Sequence, residues 1–193
     1  MPSRIKFYNI KLIMPVFYTR KGDDGRSRIG KKVVNKTCLE VEALGQLDEL
    51  NSMAGVLKSQ RISKTLKDIL LQVQEDLFIV QSHVANLMLG GNFKVPEFKA
   101  QKTKDVEKII DGIERNLPPL KKFVISGTNQ TSAWLDFLRA KSRNVEREVL
   151  KIKNLKFKID DNILPYLNRL SSLFFALARW EARNKKEKHP TYK

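Results

Sequence analysis

Between residues 63 and 88 the apolar side chains Leu66, Ile69, Leu70, Val73, Leu77, Val80, Val84 and Leu87 return at steps of three and four. An α-helix gathers such residues into one stripe, and a stripe this long has to be buried against other helices. Residues 39–58 repeat the pattern at positions 41, 44, 47, 50/51, 54 and 57. Residues 163–186 do so with Leu167, Leu170, Phe174 and Leu177, a 3-4-3 spacing suited to bundle packing. Two more helices fit between them, a short one over 103–115 and a fourth running to about residue 152. GGNFKVP stops the second helix, NLPPLKK follows the third, and the polar turn in FVISGTNQTSA, rich in N-capping residues, feeds the fourth. Pro165 falls in the first turn of the fifth helix, where its missing N–H does little harm. With no period-2 strand series and no internal repeat, the pattern predicts an all-α, five-helix bundle. An irregular N-terminal arm over 14–38 precedes it and a frayed basic tail, NKKEKHPTYK, follows. Phe78, Phe137 and Phe175 fall off the main stripes, so the bundle is expected to cover them by oligomerising.

A chain of 193 residues supports one well-buried core. The domain is expected over 14–187, between an N-terminal extension, 1–13, and a basic tail, 188–193. Apolar residues at 41% and charged residues at 30% place the chain among globular proteins. Its 37 Lys and Arg against 21 Asp and Glu give a formal charge of +16, a field that favours polyanions such as nucleotides, nucleic acid or an anionic membrane. The lone Cys38 excludes an internal disulfide framework, and no apolar run approaches the roughly twenty residues that span a bilayer. These features predict a soluble, cytoplasmic protein. MPSRIKFYNIKLI is basic and acid-free like a transit segment but lacks the serine content and length of one, so it is read as an extension that leaves organellar targeting open. Met14 is an alternative start.

The segment FYTRKGDDGRSRIG, residues 17–30, belongs to no helical pattern. Gly22 and Gly25 can adopt backbone angles closed to other residues, and Thr19, Arg20, Lys21, Ser27 and Arg28 supply hydroxyls and cations, as an anion-binding loop requires. Asp23 and Asp24 either hold a hydrated Mg²⁺ beside a phosphate or brace the turn. Neither GxxxxGK[ST] nor GxGxxG occurs, so spacing alone leaves a solvated surface turn and a phosphate loop both open. In the fourth helix Arg139, Arg143 and Arg147 stand at i, i+4 and i+8. Three like charges in a row call for an answering anion, which is either the nearby Glu146 and Glu148 or a bound polyphosphate. Asp48 and Asn168 lie beside apolar stripes, a place for either a satisfied structural group or a site residue. His83 and His189 are far apart and lack partners at ligand spacing, which argues against a zinc or histidine-based nucleophilic site.

YTRKGDDG (18–25), VEALGQLDELNS (41–52), FVISG with RAKSRNVERE (123–127 and 139–148) and LNRLSSLFFALAR (167–179) occur in this order. Together they resemble the ATP:cob(I)alamin adenosyltransferases of the propanediol-utilisation (PduO) type, over residues 17 to 183. The resemblance implies a trimer of five-helix bundles with active sites between subunits. It also implies transfer of the 5′-deoxyadenosyl group of ATP to the cobalt of reduced cobalamin, with Mg²⁺ as the metal and triphosphate released. Thr19, Arg20, Lys21, Gly22, Ser27 and Arg28 then form the ATP loop, Lys36 matches a lysine that reaches the nucleotide, and Asn168 matches an asparagine that contacts ATP. Arg143, Asn144, Val145, Glu146 and Arg147 match the nucleotide-binding run of the fourth helix. Asp48 and Arg139 look like a salt-bridging pair across the subunit interface. Phe123 resembles the aromatic residue that crowds the lower face of cobalamin, and with Arg143 it is the expected catalytic residue. Because the nucleophile is the Co(I) centre, the protein need not supply a Ser, Cys or His.

The chain departs from the family pattern at Lys21 and Arg28, at Asn144 in place of an arginine, at Ser126-Gly127-Thr128 in place of a Pro-Gly-Gly-like turn, and at Ser172 in place of an acid. These changes motivate a second reading, a catalytically weak ATP- or corrinoid-binding carrier or regulatory relative. A third reading takes the charge literally, as a basic helical nucleic-acid-binding protein; no helix-turn-helix, zinc-finger or RNA-recognition signature supports it. A corrinoid reductase and an adenosylcobalamin-dependent enzyme are the partners the family implies.

Overall fold

The computed structural model describes residues 18, 20–29, 32–90, 93–154 and 159–192. Five helices carry the fold: α1 (Leu39–Lys58), α2 (Lys64–Met88), α3 (Gln101–Glu114), α4 (Gln130–Asn154) and α5 (Ile163–Ala182). They are preceded by two short strands, β1 (Arg26–Ile29) and β2 (Lys32–Asn35). The extension 1–13 and Thr19 lie outside the described residues.

Local chemistry sets the ends of these helices. Ser63 caps α2 by accepting the Leu66 N–H at 3.2 Å. At the start of α4, Asn129 Oδ1 accepts from Ser132 N–H at 2.8 Å while Ser132 Oγ accepts from Asn129 N–H at 2.9 Å, so each side chain satisfies a donor of the other. The fifth helix ends at Ala182, earlier than the expected residue 186. Asn184, Lys185 and Lys186 are exposed and offer nothing to bury, so packing stops holding the chain helical there.

Packing runs α2–α1–α4–α5–α3, with α4 against α5 the most extensive contact. The stripes read from the sequence form its interior: Leu47, Leu50, Ala54 and Leu57 from α1; Leu70, Leu77, Val80 and Val84 from α2; and Leu167, Leu170 and Phe174 from α5 are fully buried, as are Leu135, Leu138, Val145 and Val149 of α4. Each such leucine, valine or phenylalanine contributes roughly 1.5–3 kcal/mol of transfer free energy.

The arm is more ordered than expected, because β1 and β2 form an antiparallel hairpin with Ser27 opposite Val34 and Arg28 opposite Val33. Four-residue strands are too short for alternation to show, and adjacent Val33 and Val34 point to opposite faces and mask it.

Two polar clusters, each centred on a buried charged residue, pin the helices. Lys141 of α4 is paired with Glu49 of α1 and donates to Gln46 Oε1 at 2.6 Å. Asp76 of α2 is paired with Lys102 of α3 and accepts from Gln72 Nε2 at 3.0 Å. Tyr166 of α5 is fully buried beside Asp76, and burial first, then the Asp76 charge, raise its phenol well above the ordinary value of 10.0. The phenol therefore stays protonated when folded, while the unfolded chain releases its proton above pH ~10. The stability tied to Tyr166 is present below that pH and is lost as pH rises toward the folded pKa, at up to about 1.4 kcal/mol per pH unit. Denaturation midpoints measured between pH 9 and 11 should show this slope in the parent and lose it in Tyr166→Phe; equal slopes would refute the assignment.

Candidate functional site

The arm builds a compact loop. Gly25 has φ +79°, a left-handed conformation that favours glycine. Gly22 is needed for space, since a Cβ there would sit 3.0 Å from the Arg26 carbonyl oxygen and 3.1 Å from Lys36 Nζ. Lys36 Nζ donates to the Gly22 carbonyl at 2.7 Å, folding the lysine back over the loop, and Lys36 N–H donates to the Gly25 carbonyl at 3.0 Å. Arg20, Lys21, Gly22 and Lys36 are thereby gathered at one place, with Ser27 and Arg28 on the adjoining strand. Of the two aspartates, Asp24 braces the turn: its Oδ1 accepts the Arg26 N–H at 3.1 Å. The loop cations are exposed within the single chain.

On α4 the three arginines meet different fates. Arg139 Nε lies 3.6 Å from Asp136 Oδ1, and Arg147 Nη2 donates to Asn144 Oδ1. Arg143 is exposed and, among the described residues, makes neither hydrogen bond nor ion pair within the chain. Glu146 answers none of them. Its Oε1 accepts from Asn168 Nδ2 at 2.8 Å, which joins two of the expected site residues across α4 and α5. Asn168 Oδ1 in turn accepts from Arg169 Nη1 at 2.8 Å, and Arg169 Nε donates to Glu107 Oε1 of α3 at 2.7 Å. Sequence reasoning missed Arg169 and Glu107, because a pair 62 positions apart leaves no local pattern. Val145, which the resemblance groups with the nucleotide run, is a fully buried core residue whose side chain anchors α4.

Phe123 lies in the α3–α4 connection with 75% of its surface exposed. It shares a cleft of about 410 Å³ with Leu120, Val124, Phe175, Ser171, Ser172, Arg139 and Arg143. Both expected catalytic residues thus line one concavity, apolar on the loop side and cationic on the α4 side. Asp48 is exposed, and among the described residues no ion pair joins it to Arg139 within the chain. Arg139 Nε is buried without a hydrogen-bond acceptor. The two histidines are structural: carbonyls only accept, so His83 Nε2 donates to Pro96 O at 2.8 Å and His189 Nδ1 to Phe123 O at 2.9 Å. Among the described residues no three His, Cys, Asp or Glu side chains gather as a metal site, and no helix is long and apolar enough to cross a membrane.

The family profile for cobalamin adenosyltransferase matches residues 17–181, spanning the loop, all five helices and the cleft. The chain belongs to the cobalamin adenosyltransferase family. Similar members include the corrinoid adenosyltransferase of Bacillus subtilis, 33% identical over 166 residues, covering 84% of this chain and 84% of the relative. The corrinoid adenosyltransferase of Citrobacter freundii is 33% identical over 165 residues, covering 85% and 93%. A variant PduO-type ATP:corrinoid adenosyltransferase from Lactobacillus reuteri complexed with cobalamin and ATP superimposes with a TM-score of 0.84 at 30% identity, over 91% of this chain and 99% of that one.

Proposed function

We propose that the chain transfers the 5′-deoxyadenosyl group of ATP to the cobalt of cob(I)alamin. The cobalt–C5′ bond forms as the C5′–O bond breaks, and triphosphate leaves with the electron pair of that bond. The observation that carries this reading is the cleft that sets Phe123 opposite Arg139 and Arg143 in a chain matching the family across 17–181. Its apolar wall of Leu120, Phe123, Val124 and Phe175 suits the face of a large ring and keeps water from cobalt's lower face. The cations opposite suit the charge that grows on a departing triphosphate. The cobalt is the nucleophile, so the protein's task is to orient ATP and stabilise the leaving group.

The remaining roles are carried over from the family resemblance. Arg143 and Arg147 bind phosphate oxygens with Asn144 beside them, and the Glu146–Asn168 pair holds the nucleoside. Thr19, Arg20, Lys21, Gly22, Ser27, Arg28 and Lys36 close over the triphosphate from the arm. That arm belongs to a neighbouring subunit: among the described residues the cleft is walled by Leu120, Phe123 and Val124, α4 and α5 with no part of the arm, while Val33 at 46%, Phe137 at 49% and Phe78 at 62% are exposed in the single chain. A homotrimer covers these residues and lets Asp48 of one subunit supply the acceptor that Arg139 Nε lacks. Mg²⁺ fits this donor set as a phosphate-bound ion, since Asp24 is engaged in its turn and Glu146 with Asn168, which leaves Asp23 as the loop carboxylate for it. Such a site needs few protein ligands.

The test is to mix the protein with ATP, Mg²⁺ and cobalamin held as Co(I). The expected result is the absorbance change of cobalt–carbon bond formation, with triphosphate released in equal amount. Absence of both at saturating ligand would sink the enzymic reading and leave a binding protein.

A further inference from the structure

Phe123 is a highly exposed side chain on a loop, yet a wall against the corrinoid has to be held still. Residues 118–128 form no helix or strand. Among the described residues their only backbone–backbone hydrogen bond runs from Ile125 N–H to the Lys188 carbonyl, at 2.8 Å. Two further bonds hold the loop's carbonyls. His189 Nδ1–H donates to Phe123 O at 2.9 Å, and Arg179 Nη2 donates to Pro118 O at 3.2 Å. Every one of these partners comes from the last turn of α5 or the chain beyond it. The outlying segment is itself fastened: Glu187 Oε1 lies 3.5 Å from Arg179 Nε, with side chains only 21% and 14% exposed. Arg179 therefore grips the start of the loop and the root of the tail, and Lys188 and His189 grip the loop on either side of Val124.

We propose that residues 187–189 are a positioning strap for Phe123, setting the apolar wall against the lower face of the corrinoid. The proposal deepens the adenosyltransferase reading and rests on it. Phe123 touches the substrate; Lys188, through its carbonyl, and His189 act through Phe123. Lys188 and His189 both bond to the loop while Glu187 ties the strap to Arg179 of α5, so losing it should disturb the corrinoid half of the reaction and spare the nucleotide half.

The test compares the full chain with one ended at Lys186, with His189→Ala and with His189→Asn, whose side-chain amide places a donor near the position of Nδ1–H. Hydrogen exchange of the Ile125 amide is expected to speed up by about tenfold or more in the shortened chain. Turnover should fall by about tenfold while the KM for ATP stays within about twofold, and the spectroscopic signature of four-coordinate Co(II) on added cob(II)alamin with ATP should weaken. His189→Ala should weaken that signature and His189→Asn should restore it. Unchanged exchange at Ile125 would overturn the strap. Faster exchange with an unaltered Co(II) signature would overturn its hold on Phe123. If the full chain forms no adenosylcobalamin at all, the enzymic reading fails, and the exchange and Co(II) measurements still decide on the strap.

Discussion

Replacing Arg143 by alanine is expected to lower kcat by about 10²–10³-fold, the range for removing one donor aimed at charge that develops in the transition state. The same change should shift folding stability by no more than about 0.5 kcal/mol, because the side chain is exposed and, among the described residues, makes no hydrogen bond or ion pair within the chain. Its neighbours supply the contrast. Arg139 lies 3.6 Å from Asp136 and Arg147 is bonded to Asn144, so each is partly neutralised or held before a ligand arrives. Arg143 alone in the row keeps its full fork for phosphate, and it stands in the cleft with Phe123. Arg147→Ala should accordingly cost less, about tenfold. Steady-state kinetics with a thermal melt for each variant checks both. An Arg143→Ala protein that turns over within about threefold of the parent would remove this residue from the reaction.

The fate of that row shows what a sequence can and cannot disclose. Three arginines at i, i+4 and i+8 are visible in one dimension, and so is the demand for something opposite them. Which of them is already answered depends on rotamers: Asp136 reaches Arg139, Asn144 reaches Arg147, and Glu146 turns away to Asn168. The long helices were legible because burial enforces a period, and α1 and α2 begin and end within a residue of where their stripes and caps put them. The hairpin was not, because KVVN has no fully buried residue in the single chain and the two strands are held by backbone pairing, to which any side chains can conform. For the same reason the tail read as frayed. Lys188 contributes a carbonyl to Ile125 and His189 a ring nitrogen to Phe123, contacts 63 to 66 residues apart with no signature in NKKEKHPTYK. Val145 lies in the core within the matched run of α4, since a run of neighbouring residues on a helix necessarily includes members that face inward.

Mixing two inactive variants should restore about one quarter of the parent activity. Lys36→Ala damages the arm, removing the side chain that lies over the loop and donates to Gly22 O, and leaves α4 intact. Arg143→Ala damages α4 and leaves the arm intact. If each site joins the arm of one subunit to α4 of the next, a trimer assembled at random from equal amounts has an intact arm with a chance of about one half, next to an intact α4 with the same chance. The product, about one quarter of the sites, is whole, although no chain in the mixture is. Sites contained within single chains would gain nothing from mixing, because every chain carries one lesion. The two variants are unfolded and refolded together, mixed trimers are confirmed with a tag on one of them, and adenosylation is then followed. Recovery well above the sum of the separate variants places the arm over its neighbour's cleft. Mixed trimers that stay at that sum would place loop and cleft in one chain, and the exposed hairpin would then have to fold across its own bundle to reach Arg143.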